Sequence, residues 1–63
     1  MKWIELHDSN GRKRMVNADH ISAIDETTDR EGDVDGSIIY FHEKSGFIVQ
    51  ESPDEILRML SNA

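Results

Sequence analysis

The sequence predicts a mostly β fold of the α+β type: a small, bent antiparallel sheet of about five strands carrying one C-terminal helix. Three observations predict it. Short apolar runs, several of them alternating with polar residues, fill the chain up to Val49. Turn signals separate them, Asn10-Gly11 most clearly. After Gln50 the apolar spacing changes from that of a strand to that of a helix.

The elements follow in order. Lys2 to His7 reads as a strand with Ile4 and Leu6 on one face and Trp3, Glu5 and His7 on the other. Asn10-Gly11 tolerates positive φ, so Arg12 to Val16 reads as the returning strand of a hairpin. Asn17 and Asp19 suit local bonds from side chain to backbone, and they interrupt the pattern. Ile21 to Thr27 resumes it, but Ile21 and Ile24 would point to opposite faces of a regular strand. A bulge or a short helical turn between Asp19 and Ser22 would reconcile them. Thr28 to Gly36 is acidic and polar, and reads as an exposed loop.

The second hairpin is the most apolar segment. Ile38-Ile39-Tyr40-Phe41 and Phe47-Ile48-Val49 flank a turn at Glu43 to Gly46, and neither run alternates. In the helix, Ser52 is the expected cap, Pro53 suits the first position, and Glu55 completes a Ser-x-x-Glu capping box. Ile56, Leu57 and Leu60 form its apolar stripe. The expected core is Ile4, Leu6, Val16, Ile21, Ile24, Ile38, Tyr40, Phe47, Val49, Ile56, Leu57 and Leu60.

Composition narrows the function classes. Sixty-three residues fit a single domain, 1–63, and a chain of that size buries only about 60% of its unfolded surface. Cysteine is absent, which removes disulfides, thiolate metal sites and a Cys nucleophile. Self-association is the remaining way to add buried surface. The net charge of -6 disfavours nonspecific binding to nucleic acid or anionic lipid. No apolar stretch approaches the roughly 20 residues of a membrane helix, and the N-terminus reads as no signal peptide.

Few constellations suggest chemistry. Glu31, Asp33 and Asp35, with Gly36 and Ile38 behind them, keep the register of a calcium loop across 29–37. The twelfth position is His42 where a bidentate glutamate is required, so a solvated loop is the preferred reading. His7, His20 and His42 stand at no ligand spacing with one another, and no nucleophile or phosphate-binding motif is present. The expectation is therefore a non-enzyme with no cofactor. Arg12 and Arg14, with Trp3 across the hairpin, could form a small nucleic-acid surface, or could pair with nearby carboxylates. The two-sided second hairpin says more. One helix covers one face of a small sheet, so the other face needs a further layer: a barrel-like sheet that closes on itself, a different partner, or the favoured second copy, with Ile39, Phe41 and Ile48 as the expected interface.

Two stretches carry a family likeness. Asn10-Gly11 followed by Val16-Asn17-Ala18-Asp19-His20-Ile21-Ser22-Ala23-Ile24 resembles the NG … LNADLIExIE pattern of small FlbD-like flagellar and swarming motility proteins. Val49-Gln50-Glu51-Ser52-Pro53-Asp54-Glu55-Ile56 is similar to their VxESxxEVI segment. The chain departs from the pattern at Thr28 to Gly36, where that family has a compact TPDT turn, and at Lys44-Ser45-Gly46, where it has a second Asn-Gly. The resemblance implies a small cytoplasmic bacterial protein, β-rich with a C-terminal helix, and brings no catalytic residues with it. The expected function is a self-associating, non-enzymatic protein that docks on another cytoplasmic protein, with a motility role implied by the resemblance. The alternatives are the Arg12/Arg14 nucleic-acid regulator and the calcium module.

Overall fold

A computed structural model describes residues 2–42 and 45–62. The order is β1 (Trp3–His7), β2 (Lys13–Asn17), a 3₁₀ turn (Ala18–His20), β3 (Ile21–Thr28), β4 (Val34–Phe41), β5 (Phe47–Val49) and α1 (Pro53–Asn62). The mostly β fold with a single C-terminal helix is as the sequence predicts.

All strand pairs are antiparallel: β1 with β2, and β3-β4-β5 as a separate ladder. A bridge between Asp8 and Val49 and a 2.8 Å bond from the Gln50 N–H to the His7 carbonyl stitch β1 to β5. The two ladders therefore follow one another as β2-β1-β5-β4-β3 around a shared interior. Ile4 and Leu6 of β1, Val16 of β2, Ile39 of β4, Val49 of β5 and Ile56 of α1 fill it. Ile21, Ile24, Phe41, Phe47, Met59 and Leu60 pack around them. No buried side-chain nitrogen or oxygen among the described residues lacks a hydrogen-bond partner.

Both devices that would reconcile Ile21 with Ile24 are present. Asn17 caps the 3₁₀ turn by accepting the Asp19 N–H, and the register then shifts between Ile21 and Ala23. Ser22 is the extra residue, so Ile21 opposite Phe41 and Ile24 opposite Ile39 both face the interior. That register corrects the expected core. Ile39 is at its centre, fully buried, whereas Ile38 and Tyr40 face outward, as β4 must place alternate residues. Leu57 is also not core: Ile56 takes the buried position, and Leu57 is 55% exposed.

The acidic loop is shorter than expected. Asp29 Oδ1 accepts the N–H groups of Glu31 and Asp33, Gly32 takes φ of +87°, and β4 already begins at Val34. A side-chain-nucleated turn of this kind needs few residues, which frees Val34 to Gly36 to pair with β3. Of the second turn, Ser45 and Gly46 are described; Glu43 and Lys44 lie outside the described residues. Gly46 is needed there because a Cβ would overlap the Ile39 carbonyl oxygen.

Candidate functional site

Residues directly opposite one another in a ladder share a face. On the outer face of β3-β4-β5, Ala23 lies opposite Tyr40, and Ile38 lies between Asp25 and Ile48. Tyr40 is 39% and Ile48 51% exposed, and no helix or strand among the described residues lies over them. The result is an apolar patch of Ala23, Ile38, Tyr40 and Ile48, edged by Asp25. Of the three interface residues expected from sequence, only Ile48 stands here. Ile39 is in the core, and Phe41 packs against that core, its ring 5.7 Å from that of Phe47.

Trp3 and Arg14 reach the rim of one opening, with Met15, His20, Phe41 and Phe47, while Arg12 stays in the first turn. Arg14 is already engaged. Its guanidinium lies 4.5 Å from the centre of the Phe47 ring, and Nη1 is 3.7 Å from Asp8 Oδ2. The Asp8 carboxyl is held below its ordinary range chiefly by the Arg12 N–H, against the opposing effect of desolvation, with help from the Asn10 N–H and the charges of Arg14 and Arg12. Thus the arginine strand serves the first hairpin, and the structure does not gather Trp3, Arg12 and Arg14 into one cationic surface.

In the acidic turn, oxygens of Asp29, Glu31 and Asp33 lie within 4.8 Å of one another. Asp35, the third residue of the calcium reading, is elsewhere: it accepts the Thr27 hydroxyl at 2.7 Å. Asp29 takes its place, and its Oδ1 is occupied by two backbone N–H groups. The cluster is thus the turn's own scaffold.

One polar pair escaped the sequence reading. Glu51 is buried beneath His7, with Oε1 accepting the His7 N–H at 2.9 Å and Oε2 2.7 Å from the ring Nδ1. Its own carbonyl accepts the Ser37 hydroxyl at 2.7 Å. Burial is the largest single influence and works to raise the Glu51 pKa, but the backbone and ring bonds from His7, the Glu51 backbone N–H and the charge of His7 together outweigh it, and the net shift is downward. The available signal was spacing: Glu51 stands two positions after the buried Val49, just past the end of β5, on the short link to α1. His20 and His42 do not join this pair; they meet through backbone, the His42 N–H donating to the His20 carbonyl.

The motifs of the family likeness all fall on these folding devices: Gly11 at φ of +82° in the first turn, Asn17 on the 3₁₀ turn, Ser52 at the helix start. The family model for FlbD, flagellar and swarming motility proteins, matches residues 3–62. The chain belongs to the FlbD family. Comparison with curated proteins and with solved structures gave no match. The FlbD match spans every strand and the helix, including the Thr28 to Gly36 segment where the chain departs from the family's compact turn. Among the described residues of this FlbD protein, no helix is long and apolar enough to cross a membrane.

Proposed function

We propose that this FlbD-family chain is a non-enzymatic, cytoplasmic interaction protein of flagellar or swarming motility, and that it self-associates through the outer face of β3-β4-β5. The observation that carries the reading is the uncovered apolar patch of Ile38, Tyr40 and Ile48 on a sheet whose other face is already packed. Clustered exposed apolar side chains of this kind mark association surfaces in small proteins, and a symmetric dimer would set the patch against its own copy. The groups able to do chemistry support the non-enzymatic part, since Asp8 and Asp29 build turns and Glu51 is held by His7.

Sedimentation equilibrium from low micromolar to hundreds of micromolar tests the assembly. The expected result is a dimer or larger species that Ile48→Asp converts to a folded monomer. A monomer across the whole range overturns self-association. The motility role is tested separately, by whether the gene restores swarming to cells that lack it and whether Ile48→Asp removes that effect.

A further inference from the structure

We propose that the open edge of β3, together with the groove between it and α1, receives an extended segment of a partner protein as an added strand, with basic residues on that segment meeting Asp25 and Glu26. β3 is the end strand of its ladder, and among the described residues its only strand partner is β4. Between its two register shifts, over Ala23–Thr27, it therefore presents regularly spaced backbone N–H and C=O groups on its other edge, a template for strand addition.

The groove lies between the bulged start of that strand and the helix, with Ile21, Ser22, Ala23 and Ile24 in its lining. The opposite wall is Pro53, Leu57 and Leu60 of α1. Leu57 is the informative member. It belongs by spacing to the helix's apolar stripe, yet the fold leaves it 55% exposed on the lip of the groove. An apolar side chain carried by an added strand would cover it.

Charge identifies the occupant. Asp25 and Glu26 follow the groove on β3, both exposed, and Asp54 stands one turn before Leu57 on the helix. Two copies pairing through antiparallel β3 strands in full overlap would set Asp25 opposite Ile24 and Glu26 opposite Ala23 of the other copy, with Asp25 diagonal to Glu26, and β3 carries no Lys or Arg to meet either carboxylate. A strand with an apolar half for the Leu57 lip and a Lys- or Arg-bearing half for Asp25 and Glu26 meets every feature of the site. This surface adjoins the Tyr40 and Ile48 patch at Ala23 and Asp25, but its backbone edge and its Leu57 lip lie outside that patch.

The test uses two blocked eight-residue peptides that alternate valine and threonine and end in either two lysines or two glutamates. Amide spectra of the full chain are recorded with each. The lysine peptide is expected to shift the amides of Ile21 to Glu26 saturably, and the glutamate peptide to bind at least about tenfold more weakly, a difference of about 1.4 kcal/mol. Asp25→Lys with Glu26→Lys should reverse that preference. Leu57→Glu should weaken the lysine peptide about fivefold or more, while Ile48→Asp leaves it unchanged. Three results overturn the proposal: no movement of the Ile21 to Glu26 amides at millimolar peptide, equal binding of both peptides, or shifts centred on Tyr40 and Ile48. Self-association abolished by Leu57→Glu and indifferent to Ile48→Asp would also overturn it, by giving the edge to a second copy.

Discussion

Glu51 holds His7 by two hydrogen bonds at once, the backbone N–H at 2.9 Å and the ring Nδ1 at 2.7 Å, across 44 residues of sequence. The same residue accepts the Ser37 hydroxyl through its carbonyl and directly precedes the helix-capping Ser52. One residue thereby fixes β1, β4 and the approach to α1.

Acid should release this node. Because the folded Glu51 pKa is lowered from 4.5, its contribution to stability is present above that value and is lost as pH falls below it through the folded pKa. Asp8 shifts in the same direction. Urea midpoints are therefore expected to hold down to about pH 5 and to decline below it. Glu51→Gln should flatten that decline and cost about 1–3 kcal/mol at neutral pH. A decline unchanged in Glu51→Gln would assign acid sensitivity to other carboxylates.

Salt should tighten the assembly proposed here. Copies that each carry -6 repel one another, and the Debye length shrinks from about 30 Å at 0.01 M to about 3 Å at 1 M. Sedimentation equilibrium in 0.02 M and 0.5 M NaCl is expected to show association at least about threefold stronger in the higher salt. Weaker association there would instead place ion pairs within the interface.

Two of the loop glycines, Gly46 and Gly32, should differ sharply. Gly46→Ala drives a methyl group into the Ile39 carbonyl and should cost about 3 kcal/mol or more, read as a loss of urea midpoint. Gly32→Ala meets open space and bears only the cost of positive φ, about 1 kcal/mol.

The helix cap is a smaller contribution. The Glu55 N–H reaches Ser52 Oγ at 3.3 Å, so Ser52→Ala should lower stability by about 1 kcal/mol, while Ser52→Asp should retain most of it. Equal stability of all three proteins would show that the cap is dispensable.

The succession of five strands and a helix along the chain was legible because it rests on local rules: Gly11 in its turn, Asn17 on the 3₁₀ turn, Ser52 at the cap. The faces of the second hairpin were not. Ile38-Ile39-Tyr40-Phe41 is apolar throughout, so period two cannot say which pair faces inward, and the bulge at Ser22 decides it from another strand. Asp29 hid the start of β4 for a related reason, since a turn built by one side chain looks like any other stretch of acidic loop. Leu57 matched the core pattern and failed it because a single short helix cannot bury two adjacent stripe positions equally on this sheet.

The stitch between β1 and β5 joins the strands most distant in sequence, and it is expected to form late in folding. Each hairpin closes over a short connection, but the Asp8–Val49 bridge and the His7–Glu51 pair must wait for opposite ends of the chain to meet. Contacts that form after the rate-limiting step act on the unfolding rate. Glu51→Gln should then leave refolding nearly unchanged and speed unfolding, so that this seam governs how long a folded molecule lasts more than how quickly one is made.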